Sequence, residues 1–166
     1  MSAGFQSTTY FRAKLVIMTS GTLVSEQEYL ATIYEPDAEY VNGEILERAV
    51  PEIDHGGLQG LIVNWLMNRR KEIGIHVFPG TRTQVSAHRY RVPDVAVTLG
   101  RGEGRILTEP PFLCIEIVSP EDRVSRMEEK IDDYLKFVVQ YVWLIDPRKE
   151  SAWSYTREGK REAASI

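Results

Sequence analysis

Glu116 lies in the run Phe112-Leu-Cys-Ile-Glu-Ile-Val118, whose other residues are all apolar. An ionised carboxylate in such surroundings is costly to bury unless it is paired or holds a cation. Asp94 poses the same problem, because it follows Pro93 and opens Val95-Ala-Val97. If these segments are neighbouring strands, two carboxylates converge on one sheet edge. That arrangement suits Mg²⁺, a hard cation that takes one or two carboxylates, keeps several waters and shares substrate phosphates. A lysine nearby could orient or deprotonate a water, or stabilise developing charge. Lys130 starts the inward stripe of the following helix, and Glu44 could approach from an earlier hairpin. The competing reading is structural: Asp94 as a turn cap, Glu116 as half of an ion pair, Lys130 as a solvated lysine at a helix edge.

The elements that must position these residues are legible in order. Ser25-Glu-Gln-Glu28 is a capping-box pattern that opens a short helix over about 25–34, with Tyr29, Leu30 and Ile33 inward and Pro36 beyond its end. Ala38–Val41 and Glu44–Glu47 flank Asn42-Gly43, a strong hairpin signal. Alternation sends Glu44 and Leu46 to one face and Ile45 and Glu47 to the other. From Asp54, a candidate N-cap, to Ile73 the spacing is helical, with Leu58, Leu61, Ile62, Trp65 and Leu66 as its stripe and Gly74 at its end. Strand-like runs follow at 75–78, 81–87 and 91–99, then a loop over 100–110. The run Phe112–Val118 reads as a buried strand in which Cys114, Glu116 and Val118 share one face and Leu113, Ile115 and Ile117 the other. A helix over about 124–138 turns Met127, Ile131, Tyr134, Leu135 and Val138 to one side. Tyr141–Ile145 is another buried strand, and the last residues form a hairpin around Glu158-Gly159. This order describes an α/β sandwich, a mixed central sheet with helices on both faces.

Composition narrows the function. The chain has 166 residues, 43% hydrophobic and 27% charged, which bounds it to one globular domain of ordinary size. Twenty Lys and Arg against 24 Asp and Glu give net −4, so a polyanion would have to meet a local patch. Cys114 is the only cysteine, which excludes a disulfide framework and a thiolate zinc cluster, and a reducing cytoplasm is expected. No apolar run approaches the ~20 residues that cross a bilayer. Residues 1–17 read as an extension with little structure, Met18 as a second candidate start, and 18–166 as the single domain.

Four segments carry a family resemblance: Val92-Pro-Asp-Val-Ala-Val97, Ile115-Glu-Ile-Val-Ser-Pro120, Lys130-Ile-Asp-Asp-Tyr134 and Tyr141-Val-Trp-Leu-Ile-Asp-Pro147. In this order they resemble the Uma-type family of restriction endonucleases, within the PD-(D/E)XK nuclease superfamily. Glu39-Tyr-Val-Asn-Gly-Glu44 is similar to the family's YELVDGE segment, and His55 falls where members often carry a histidine. The resemblance spans roughly residues 24–158. It implies a restriction-endonuclease-like three-layer sandwich. Asp94 and Glu116 would hold Mg²⁺ or Mn²⁺, Glu44 would assist, His55 would be an accessory, and DNA would be the substrate. One departure stands out: the superfamily's E-x-K would place lysine at 118, where this chain has Val118. The family's lysine lies instead on the next helix, and Lys130 matches it.

For DNA contact, Arg69, Arg70, Lys71, Arg82, His88, Arg89 and Arg91 form the best local basic group, able to track phosphates without reading bases. The alternative is a solvated helix end and an exposed strand. Two active sites would serve double-strand cutting, so a symmetric homodimer is expected. A second class of function stays open: a catalytically inactive nuclease-fold module that binds nucleic acid or a protein partner. Val118 and the acidic net charge lean that way.

Overall fold

A computed structural model describes residues 23–163; the extension expected over 1–17 lies outside them. Ser25 caps the first helix as its sequence predicts, its hydroxyl accepting the Glu28 amide at 3.2 Å. The helix α1 (Glu26–Ala31) ends earlier than expected, so Tyr29 is fully buried while Ile33 lies beyond the helix and is exposed. β1 (Ala38–Val41) and β2 (Glu44–Glu47) form the hairpin, with Asn42 at φ 51° and Gly43 at φ 97° in its turn. Both angles lie in the region that asparagine and glycine tolerate best.

α2 (Ile53–Ile73) starts after Glu52 rather than at Asp54, and no side chain caps it. Asp54 falls in the first turn, where its charge still suits the helix dipole. The helix stops at Gly74, which takes the left-handed conformation expected of it. Its buried stripe is narrower than the sequence stripe. Leu66 is buried, with Ile62 and Val63 packed beside it, whereas Leu61 and Trp65 point outward. α2 rests on one side of one sheet only, so apolar residues that wrap beyond that line of contact remain in solvent.

β3 (His76–Pro79), β4 (Thr83–Ser86), β5 (Arg89–Arg91) and β6 (Val95–Thr98) follow. The run 91–99, expected as one strand, is broken at Val92-Pro93. Proline has no N–H to give a ladder. The chain there leaves one sheet and enters the other. β5 pairs with β1 and β4 in a four-stranded sheet ordered β2-β1-β5-β4, and β6 belongs to a six-stranded sheet. β3 and β4, although joined by a short turn, are divided between the sheets in the same way.

The six-stranded sheet has the order β10-β9-β8-β7-β6-β3, completed by β7 (Leu113–Ile117), β8 (Tyr141–Asp146), β9 (Ser151–Thr156) and β10 (Gly159–Glu162). β7 and β8 are parallel, and α3 (Val124–Lys136) supplies the crossover that parallel neighbours require. The mixed sheet is flanked on both faces, as expected. Leu113 and Ile115 meet α2 through a core with Leu66, Val95 and Val97. Cys114 faces α3, in a core with Met127, Ile131, Tyr134 and Val142. Val85 of β4 joins that second core, so α3 lies between the two sheets. Val138 sits past the end of α3 at φ 73° and is exposed, not part of the inward stripe.

Candidate active site

The β6–β7 ladder pairs Val95 with Ile115 in antiparallel register. One step further along, the same register sets Asp94 opposite Glu116. Cross-strand partners of this kind point to the same face, here the face that α3 covers. Both side chains are almost completely buried. Asp94 Oδ2 accepts the Ile117 amide at 2.7 Å, and Oδ1 meets Arg48 Nη2 at 2.5 Å and His55 Nε2 at 3.2 Å. Gln59, one turn after His55 on α2, donates to the Asp94 carbonyl at 2.8 Å.

α3 brings two residues to Glu116 from one helical face, four positions apart. Lys130 Nζ lies 2.8 Å from Oε2, and the Tyr134 hydroxyl donates to Oε1 at 2.6 Å. The Lys130 ammonium also reaches Glu39 Oε1 of β1 at 3.0 Å. Glu39 accepts the Val92 amide on Oε1 and Arg91 on Oε2, and Arg91 continues to Asp133 on α3. Two sheets and two helices thus meet in one ionic network.

The three inner carboxylates respond differently to this network. Burial pushes the Glu116 carboxyl up to about 7; Asp94 and Glu39 add to that, and Lys130 opposes it. Burial works in the same direction on Asp94, but the His55 contact, Arg48 and Lys130 outweigh it and hold the group below its ordinary value. Glu39 is likewise held low, because Lys130 and Arg91 overcome its burial. Lys130 stays firmly protonated: burial is outweighed by Glu116 and Glu39.

These residues line a cleft of about 1070 Å³ that also includes Glu44, Ser119 and Met127. Asp94, Glu116, Lys130 and His55, all candidates from the sequence, are brought together there. Glu44 reaches the same cleft but is exposed at the start of β2, with no bond to the inner carboxylates. The basic candidates are dispersed. Arg91 is buried inside the network, and Arg89 pairs with Glu129 and Asp133. Arg82 stacks on the Tyr29 ring and donates to the carbonyls of Tyr29 and Thr32. Arg69, Arg70 and Lys71 are exposed at the far end of α2, roughly 20 Å along the axis from His55, and Arg69 lies over the Trp65 ring. His88 is exposed, near Glu26.

Sequence reasoning missed Glu39, Arg48 and Ser119 as site residues. Glu39 carried the signal that marked Glu116: it is a carboxylate in a strand whose four residues are all buried. Arg48 follows β2 without any pattern to single it out, and only the tertiary fold brings it to Asp94.

Among the described residues, no cluster of three or more His, Cys, Asp and Glu side chains is arranged to hold a metal ion. The two opposed carboxylates nevertheless suit a hard cation that completes its shell with water and substrate oxygens. Their present partners are the cations Arg48 and Lys130. Among the described residues no helix is long and apolar enough to cross a membrane.

Comparison with known proteins agrees with this architecture. A crystal structure titled as that of a "putative nuclease belonging to DUF820" from Anabaena variabilis superposes with a TM-score of 0.75 at 25% identity, over 84% of this chain and 83% of that one. No curated protein matches. The Uma2 family, described as "Putative restriction endonuclease", matches residues 26–166. Fold and family both support a nuclease, and the chain belongs to the Uma2 family.

Proposed function

We propose that the protein is a divalent-metal-dependent endonuclease that hydrolyses phosphodiester bonds in DNA. The observation that carries this reading is the placement of Asp94 opposite Glu116 at the floor of a cleft, with Lys130 Nζ 2.8 Å from Glu116. Asp94 and Glu116 would hold Mg²⁺ or Mn²⁺, which when bound supplies Lewis acidity toward the phosphate and a more acidic water. The rest is the work of the chain itself. Arg48 and the Ile117 amide fix the Asp94 carboxylate, and Tyr134 fixes Glu116. Lys130, held between two carboxylates, places a positive charge where the phosphate acquires negative charge. Glu44, on the rim, is positioned to assist from the solvent side. The exposed cations at the end of α2 (Arg69, Arg70 and Lys71) are proposed to contact the DNA backbone away from the scissile bond. A homodimer would supply two such clefts for a duplex.

The test is incubation of the purified protein with supercoiled plasmid and Mn²⁺, beside Glu116→Gln. Nicking by the wild type alone supports the reading. Plasmid retained but uncut by both favours the second reading, a binding module without catalysis. One observation supports that alternative: every inner carboxylate already has a cationic neighbour.

A further inference from the structure

His55, in the first turn of α2, lines the cleft and is buried, with 8% of its side chain exposed. Its Nδ1 lies 2.9 Å from Ser119 Oγ. Ser119 is buried too, and its amide is anchored to Asp122 Oδ2 at 2.7 Å. The other ring nitrogen differs. Nε2 lies 3.2 Å from Asp94 Oδ1, but the carboxylate is out of line with the ring N–H, and among the described residues Nε2 has no well-aligned hydrogen-bond partner. A carboxylate at that distance favours the proton on Nε2, which leaves Nδ1 to accept from the Ser119 hydroxyl. The Asp94 oxygen is already engaged by Arg48 at 2.5 Å. The cleft therefore contains a buried, pre-oriented donor whose nearest acceptor, the Asp94 carboxylate, is shared with Arg48, which leaves the N–H able to serve a ligand in the cleft.

We propose that His55 is a catalytic residue whose Nε2–H donates to a non-bridging oxygen of the phosphate undergoing cleavage, with Ser119 as the positioning residue that fixes the ring. This rests on the phosphodiesterase reading of the cleft and adds to the Lys130 charge a hydrogen-bond donor on the α2 side. No proton is transferred. The hydrogen bond strengthens as charge grows on the phosphate oxygens, and a donor fixed in advance needs no reorganisation.

Amide replacements separate the two nitrogens. In His55→Gln the side-chain nitrogen can reach the Nε2 position; in His55→Asn it reaches only the Nδ1 position beside Ser119. Plasmid nicking with Mn²⁺ is expected to fall about 100-fold in His55→Asn and less than about tenfold in His55→Gln. A purely structural role reverses that order, since the asparagine keeps the Ser119 contact. A second readout does not depend on turnover. In ¹⁵N-histidine-labelled protein with Ca²⁺ and a short DNA duplex, the His55 Nε2 resonance, assigned by its loss in His55→Gln, is expected to shift on binding. Wild-type nicking by His55→Asn, the reversed order of the two variants, or an unmoved Nε2 resonance at saturating duplex overturns the proposal. If the wild type leaves plasmid intact while the resonance still moves, the nuclease reading fails and the phosphate contact of His55 stands.

Discussion

Glu39 Oε1 lies 3.0 Å from Lys130 Nζ, so a carboxylate of the four-stranded sheet holds the ammonium that faces Glu116 in the six-stranded sheet. Replacing Glu39 with Gln keeps the shape and removes the charge that restrains Lys130. Cleavage is expected to fall about 10- to 100-fold, in kcat rather than in DNA affinity. Initial-rate kinetics on a defined duplex, with binding measured separately by anisotropy, divides the two.

Removing Lys130 is a harsher change. Lys130→Met leaves Glu116 and Glu39 buried beside one another without their shared cation. Loss of one partner of a buried pair costs about 3–5 kcal/mol, and urea denaturation at neutral pH should show a loss of that order. Lowering the pH toward 5 should recover part of it, because a protonated Glu116 no longer needs the ammonium.

Asp94→Ala removes one of the two proposed metal ligands while leaving Glu116 in place. Calorimetric titration with Mn²⁺ is expected to show affinity at least about tenfold weaker than wild type. Equal affinity in both proteins would dispose of the metal site as drawn.

The Glu116 carboxyl also predicts a pH dependence without metal. Its folded value is about 7 against an ordinary 4.5, so between these values the native state binds more protons than the unfolded chain. Stability from this group is therefore fully present below about 4.5 and lost as pH rises through 7, by up to ~3 kcal/mol. Asp94 and Glu39, held low, act oppositely and lose their contribution only in more acidic solution. Chemical denaturation in EDTA from pH 5 to 8 should show the decline in wild type and a flatter profile in Glu116→Gln.

The exposed cations at the end of α2 make a separate prediction. Substituting Arg69, Arg70 and Lys71 with Ala is expected to weaken DNA binding and reduce the salt dependence of log K by roughly 1–3. Metal affinity, set some distance away, should not change.

Much of the site was legible because carboxylates inside apolar strands are anomalous whatever the fold. That logic singled out Asp94 and Glu116 from local context, and applied to Ala38–Val41 it would have found Glu39 as well. Strand parity also set Cys114 and Glu116 on one face, and that face is the one α3 covers. Arg48 was illegible, since its value depends on a contact with Asp94 across 46 residues of chain. The basic group failed to gather in one place for a related reason. Arg89 and Arg91 look like surface charge in the sequence, yet they serve acidic partners on α3. The second sheet was hidden because nothing in 91–99 except Pro93 announces a change of partner strand, and a single proline is compatible with an edge strand too.

That change of partner at Val92-Pro93 has an evolutionary consequence. The spacing between two ladders ties Asp94 to Arg91, Arg91 being the last rung of one and Val95, next to Asp94, the first of the other. Side-chain swaps in this link can be absorbed locally. Insertion or deletion of one residue would put either Asp94 out of step with the β6 ladder or Arg91 out of step with the β5 ladder, so divergent copies of this chain should vary in the letters of the segment while keeping its count.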